Sequence, residues 1–254
     1  MVCGGWELRV LGALEVRFAG RALPLGGARQ RAVLAALLMA RGKAVPLTTL
    51  VDTVWEGREP ASAVNTMQSY VSRLRALFAL PDVDRTAAPR VWGVPGGYRL
   101  VVRGEQIDAL RFEFLLAAGR RELAVGRAQP AYELLTRSLA LWRGPVYGDL
   151  NGLAAVQADV ARMEDQRIRA VELLAEAELA LGRPEAAIAG LQELALAHPL
   201  REAVLARLMS LLHQNGRRAD ALAMYRDTRR RLVDELGIEP GAELSGIQQR
   251  ILGC

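Results

Sequence analysis

The sequence predicts an α+β domain followed by an all-α one, and three observations predict it. The first 25 residues alternate apolar and polar around two turn signals, the pattern of short antiparallel strands. Beyond Gly104 nearly every window reads as Ala/Leu/Arg/Glu helix. Charge divides in the same place: residues 1–102 carry 13 Arg or Lys against 7 Asp or Glu, whereas residues 103–254 carry 20 against 21. The basic excess is confined to the first part, as expected of a surface that meets phosphate. With 254 residues and a hydrophobic fraction of 51%, two domains can each bury a core. The boundary is placed after residue 103, giving domains 1–103 and 104–254.

In the first domain Leu8/Val10, Leu14/Val16/Phe18 and Leu23/Leu25 mark three strands separated by Gly12-Ala13 and Ala19-Gly20. Arg29–Arg41 is then a helix with Val33, Leu34, Leu37 and Leu38 inward, stopped by Gly42. Ala44-Val45-Pro46 is a brief extended piece, and Thr48 or Thr49 caps a second helix that runs to Trp55. Pro60 and Ser62 start a third helix. Residues 91–102, VWGVPGGYRLVV, are a hairpin turning at Gly93–Gly97. Strands, three helices and a closing hairpin are the order of a winged helix-turn-helix.

The third helix carries the most information. At 100° per residue, Val64, Met67, Val71, Leu74 and Phe78 form one narrow apolar stripe, which is the side turned to a core. The opposite face holds Ser62, Asn65, Ser69, Ser72, Arg73 and Ala76, with Thr66 beside them and no acid anywhere. A solvated helix normally mixes Glu with Lys. This one is shaped for a narrow, negatively charged space such as the DNA major groove, unless it is a surface helix that merely lacks acids.

The second half reads as helices over Asp108–Val125, Pro130–Trp142, Val156–Leu181, Pro184–Ala197, Arg201–Gln214, Ala219–Leu236 and Glu243–Leu252. LALGRPEAAIAGL aligns with HQNGRRADALAMY, placing Gly182 over Gly216, Arg183 over Arg217 and Ala187 over Ala221. The offset of 34 residues is the tetratricopeptide period, although a plain bundle with coincidental spacing would give the same two units. Either way the half is an all-helical interaction domain.

Other classes find no support. Cys3 and Cys254 form no metal or disulfide pattern, so no metal and no disulfide framework is expected. The apolar run Ala32–Ala40 is too short to cross a bilayer, and no signal peptide opens the chain, which reads as cytoplasmic. His198 and His213 have no partner at ligand spacing and read as capping or surface residues. No HExxH, GxSxG or GxGxxG occurs, so no catalytic residue is assigned and an enzyme is not expected. Gly42-Lys43-Ala44 lacks the rest of a phosphate-binding loop, so no nucleotide or other cofactor is expected. Arginine supplies 32 of the 33 basic residues, a bias that GC-rich coding explains as well as phosphate recognition does.

The segments LRVLGALEVRFAGRALPLGGARQRAVLAALL, LTTLVDTVWEG, ASAVNTMQSYVSRLRALF, PGGYRL, LALWRGPVYGDL, AELALGR, HPLRE and LVDELGIEPGAEL together resemble the Streptomyces antibiotic regulatory protein family, in the family's order across almost all of residues 6–252. The resemblance implies an OmpR-like winged-helix DNA-binding domain followed by a tetratricopeptide-like bacterial transcriptional activation domain. It implies a nucleoid-associated activator of secondary-metabolite (antibiotic) genes, binding double-stranded promoter DNA as a homodimer on direct repeats and recruiting RNA polymerase holoenzyme. The competing reading is a helical scaffold or ligand-sensing regulator in which DNA binding is accessory; a fragment ending near Gly104 that still binds promoter DNA would favour the first.

By position in NTMQSYVSRLR, the base contacts that the resemblance implies are Thr66, Ser69 and Arg73, the last able to grip guanine bidentately. Phosphate contacts are expected from Asn65, Tyr70, Ser72 and Arg75, with Arg75 alternatively covering apolar surface by its stem. Thr48 and Thr49 offer hydroxyls and N–H groups at a helix start. Trp55 offers its indole N–H or is a core residue. Arg29 opens a helix where a cation gains nothing from the dipole, which suits a backbone contact. Arg90 and Arg99 approach phosphates from the hairpin, whose tip has Val94 and Pro95 in place of a minor-groove arginine, so readout by the wing should be weak.

Overall fold

The computed structural model describes residues 5–80 and 86–253; Cys3 and Cys254 lie outside them. Two compact units result: Met1–Leu115 with Ser138–Gln166, and Leu116–Arg137 with Arg167–Cys254.

In the first unit, β1 (Trp6–Arg9), β2 (Glu15–Phe18) and β3 (Arg21–Leu23) form an antiparallel sheet in that order. Trp6 faces Phe18 and Leu8 faces Val16, so the apolar alternation lands on one buried side. The β2–β3 turn places Ala19 (φ 47°) and Gly20 (φ 79°) in the left-handed region that a two-residue hairpin loop demands. Helix α1 (Ala28–Met39) buries Val33, Leu34, Leu37 and Leu38 as expected, and Gln30, Ala32, Ala35 and Ala36 as well. It is therefore central rather than half-solvated. Strand β4 (Val45–Pro46) leads into α2 (Leu47–Trp55). Thr48 and Thr49 are not its cap: Pro46 holds that position, and the Leu47 N–H is taken by the Gly96 carbonyl at 2.8 Å, which fixes the helix start two residues early.

Helix α3 (Ala63–Phe78) begins after Ser62, which occupies the cap position without a side-chain capping bond. Its buried stripe is Ala63, Met67, Val71, Leu74 and Phe78; Val64, expected inside, is 47% exposed. Ala63 and Val64 lie about 50° on either side of the stripe's centre, so periodicity alone ties them, and the closely packed side takes the smaller residue. Strands β5 (Arg90–Val94) and β6 (Gly97–Val101) form the hairpin, joined to β4 in the order β4-β6-β5. The turn is tighter than expected, Pro95-Gly96 alone, with Gly96 at φ 74° as a proline-led type II turn requires. At Gly97 a Cβ would sit 2.1 Å from the Val45 carbonyl oxygen, so only glycine lets β6 approach β4 this closely.

The same unit is completed by chain far beyond the hairpin. Asp108, at the start of α4 (Asp108–Ala124), accepts N–H bonds from Val10 (2.8 Å) and Leu11 (3.1 Å). Residues 143–149 then run along the β1–β2 connection: the N–H groups of Arg143, Tyr147 and Gly148 donate to the carbonyls of Leu11, Val10 and Gly12 at 2.8, 3.0 and 3.1 Å. Asp149 receives the Leu14 N–H at 2.6 Å and Arg31 at 2.5 Å. Buried Tyr147 (φ 49°) holds the strap in place. The hydrogen-bonded edge that the β1–β2 turn would otherwise expose is thus paired by a segment more than 130 residues away.

The second unit consists of helices: the C-terminal part of α4, α5 (Ala128–Leu139), the C-terminal part of α6 (Ala154–Ala180), α7 (Pro184–Ala197), α8 (Glu202–Gln214), α9 (Arg218–Leu236) and α10 (Ala242–Gly253). Gly182 and Gly216 stop their helices at φ 71° and 75°, and Ala187 and Ala221 are fully buried where the next helix packs. The structure adds a third copy of this joint. Gly126 (φ 75°), Arg127 and fully buried Ala131 repeat it, and in all three the arginine N–H donates to the carbonyl five residues back: Glu122 and Glu178 at 2.9 Å, Leu212 at 2.8 Å. Gly119 on α4 lets Leu135 of α5 approach so closely that a Cβ would lie 2.7 Å from its Cγ. A core of Leu191, Leu205, Met209, Leu244 and Ile251 joins α7, α8 and α10.

Candidate nucleic-acid interface

The exposed side of α3 is composed as its sequence implied. Asn65, Ser69, Ser72, Arg73 and Ala76 are exposed, Thr66 and Tyr70 half-buried, and nothing acidic stands among them. Arg73 has no ion-pair partner among the described residues. The Thr66 hydroxyl donates to the Ser62 carbonyl (3.0 Å) and the Ser69 hydroxyl to the Asn65 carbonyl (3.1 Å). Both hydroxyl hydrogens are therefore spent on the helix, and the free lone pairs suit acceptance from a base amino group.

The helix is seated by aromatic contacts that sequence periodicity did not reveal. Trp55 at the end of α2 lies under Tyr70, ring centroids 6.4 Å apart, and the Arg29 guanidinium sits 5.9 Å over the same indole. This column ties α1, α2 and α3 together. It also corrects the expectation for Trp55: the side chain is 6% exposed, and its indole nitrogen is covered, with no hydrogen-bond partner among the described residues. It cannot reach a phosphate; it supports Arg29 and Tyr70, which remain at the surface. Arg31 is accounted for within the fold by Asp149 and the Leu14 carbonyl.

Arg75 serves the hairpin. Its Nε donates to the Val91 carbonyl at 2.9 Å, and its guanidinium lies 5.9 Å from the Tyr98 ring centre. The residue is nonetheless exposed, so its remaining N–H groups can still meet an anion. Thr48 and Thr49 are exposed in the first turn of α2, where N–H groups lack intrahelical partners. Arg90 and Arg99 are exposed on the outward face of the hairpin. Between them stands Trp92, 50% exposed and directly opposite Arg99, which no spacing rule singled out. The alternation of the hairpin could have flagged it: Val91 and Leu100 are buried, so Trp92 must face outward.

Below this surface, charge fixes the scaffold. Glu113 on α4 accepts from Arg41 (2.7 and 2.5 Å) and Arg162 (2.5 Å). Burial alone would raise its carboxyl, but the two guanidinium partners outweigh it and hold it below the usual carboxylate range. At Asp108 burial wins, pushing the carboxyl up against three backbone N–H donors and Arg143. Among the described residues no cluster of His, Cys, Asp and Glu could hold a metal ion, and no helix is long and apolar enough to cross a membrane.

Comparison with known proteins places this geometry. Residues 107–252 match the family "Bacterial transcriptional activator domain", and residues 21–100 match "Transcriptional regulatory protein, C terminal". The chain is 37% identical over 248 residues to the transcriptional regulatory protein EmbR of Mycobacterium tuberculosis, covering 97% of this chain and 63% of EmbR. It is 33% identical over 256 residues to the regulatory protein DnrI of Streptomyces peucetius, covering 97% and 92%. A solved structure of M. tuberculosis EmbR in complex with a low-affinity phosphopeptide superposes with a TM-score of 0.90 at 35% identity, over 98% of this chain and 65% of that one. The chain thus spans less than two thirds of EmbR but nearly all of DnrI. A winged helix-turn-helix followed by the matching helical region accords with these matches, which cover at least 97% of the chain: the chain belongs to the Streptomyces antibiotic regulatory protein family of transcriptional regulators.

Proposed function

We propose that this protein is a sequence-specific transcription activator of secondary-metabolite genes. The single observation that carries the reading is the exposed, acid-free flank of α3 with Arg73 unpaired among the described residues. On this reading α3 enters the major groove, Arg73 grips a guanine, and Ser69 and Thr66 accept from neighbouring base edges. Arg29, Thr48, Thr49, Asn65, Tyr70, Ser72, Arg75, Arg90 and Arg99 hold the phosphates and set register. Residues 1–103 carry the DNA face, and residues 104–254 form the activation domain that engages RNA polymerase holoenzyme. A homodimer occupies direct repeats about one helical turn apart, both copies meeting one side of the duplex. Such a protein works in the cytoplasm, at the nucleoid.

The test is selection of duplexes from a random-sequence pool, followed by footprinting. Wild-type chain should enrich a repeated motif, and Arg73→Ala should bind the selected duplex about 5- to 150-fold more weakly, with preference relaxed at one base pair. No enrichment, or an unchanged footprint in the variant, would remove the reading or Arg73 from it respectively.

A further inference from the structure

We propose that the trough formed by α7, α8 and α9 in the second unit binds a small apolar carboxylic acid, its carboxylate held jointly by Thr228 and Arg231 of α9. This site does not depend on the DNA-reading role of α3.

The trough has a volume of about 610 Å³, a size that receives small organic ligands. Leu205, Leu208 and Leu212 of α8 line it, with Leu196 of α7 and Met224 of α9 beside them. Leu196 is 78% exposed, so the occupant's body is apolar.

Two polar groups interrupt this lining. Thr228 is only 4% exposed, yet its hydroxyl has no hydrogen-bond partner among the described residues. Other helical hydroxyls turn to the carbonyl four residues back: Thr53 to Thr49 at 2.8 Å, Thr66 to Ser62 at 3.0 Å and Ser69 to Asn65 at 3.1 Å. Thr228 lines the trough without that bond, which leaves its O–H for an acceptor there. The second group is Arg231, three residues on and therefore on the same side of α9, with no ion-pair partner among the described residues. The acids that line the trough are already engaged, Asp220 by Arg217 and Asp227 by Arg230, both at 2.7 Å. One positive charge at the Thr228 end is left to be matched. A hydroxyl donor beside a guanidinium suits the two oxygens of one carboxylate. Helices α8 and α9 double back at the Gly216 joint, so the leucines run from the Thr228 end toward that joint and give the apolar tail its track. An extended peptide would instead lay unpaired backbone N–H and C=O groups on leucine side chains.

The probes are octanoate, octanol and octylammonium, titrated into the full chain by isothermal calorimetry. Octanoate should saturate a single site. Octanol, with the same chain and no charge, should bind about tenfold more weakly, and octylammonium should not bind. Arg231→Gln should weaken octanoate by about tenfold and leave octanol unchanged. Arg231 is exposed, so far-UV dichroism of this variant should match wild type. Thr228→Val should weaken octanoate by about threefold, and Thr228→Ser should retain it. In a chain carrying methyl-labelled methionine, the Met224 resonance, assigned by Met224→Leu, should shift as octanoate is added. Binding that leaves the Met224 resonance in place would overturn the site. Equal affinity for octanoate and octylammonium, or unchanged affinity in Arg231→Gln, would overturn the carboxylate assignment. Absence of saturable octanoate binding would overturn the proposal outright; enrichment from a random peptide library of sequences that Arg231→Gln no longer binds would then make the trough a protein-docking surface. Each of these outcomes leaves the proposed reading of DNA by α3 standing.

Discussion

Removing the Asp108 carboxylate should unfasten the first unit. Asp108 accepts from the N–H groups of Val10 and Leu11, at 2.8 and 3.1 Å, and both residues are at most 1% exposed. Asp108→Ala takes the acceptor from the Ala109 N–H at its own helix start and strands the two buried N–H groups of Val10 and Leu11. At roughly 1–3 kcal/mol each, the loss is about 2–6 kcal/mol. That is comparable with the whole margin of a domain of this size, about 5–15 kcal/mol. The Arg143 guanidinium, 3.5 Å away, loses a partner too but keeps Glu15 at 3.0 Å, so it adds little. Asp108→Asn keeps one acceptor and turns a donor toward the other N–H, so it should cost about half as much. The assay is urea unfolding followed by circular dichroism, with linear extrapolation at constant slope. The order wild type, Asn, Ala in midpoint is expected. A pH term accompanies it. Burial raises this carboxyl in the folded state, so its contribution is complete below the ordinary carboxyl value and is lost as pH rises through the raised one; Asp108→Asn should lack that decline. Equal midpoints for Asp108→Ala and wild type would refute the role of Asp108 as the clasp of the β1–β2 turn.

A fragment ending near Gly104 lacks Asp108 and residues 143–149, which complete the first unit, so it should bind DNA poorly for want of folding. It therefore does not separate the activator from the scaffold reading as the sequence alone suggested. One ending at Gln166 should retain the DNA face, and full affinity in the shorter fragment, by fluorescence anisotropy, would contradict this. Arg75→Ala should weaken binding to every duplex and reduce the slope of log affinity against log salt by about one unit, since one phosphate contact is lost. Gly97→Ala forces a Cβ against the Val45 carbonyl and should destabilise the hairpin by about 1–3 kcal/mol, seen as a lowered urea midpoint. Glu113 behaves oppositely to Asp108: its carboxyl is depressed, so its stabilisation is present above the ordinary carboxylate value and is lost as pH falls through the depressed one, a decline that Glu113→Gln should lack in acid titrations.

How far the candidate site was legible follows from how local each signal is. The face of α3 could be read because helical geometry converts spacing directly into direction, and Ser69, Ser72 and Arg73 emerged on the predicted side. Trp55 could not be placed this way. A tryptophan at a helix end suits a core or a phosphate equally, and its covering by Tyr70 and Arg29 depends on how three helices meet. Arg75 is intermediate: its exposure was legible, its bond to Val91 was not.

Taken alone, the sequence determined the order of elements, the helix ends to within a few residues, the 34-residue repeat and the polar flank, because each is set by neighbours a few positions apart. Only the tertiary structure decided which residues complete the DNA-facing unit, that a third glycine joint at Gly126 belongs with Gly182 and Gly216, and that Ala63 rather than Val64 goes inside. Pairing over long sequence separations leaves no periodic trace: the bonds from Val10 and Leu11 to Asp108 span 98 and 97 residues, and what specifies them is the need to satisfy buried N–H groups wherever an acceptor can be found.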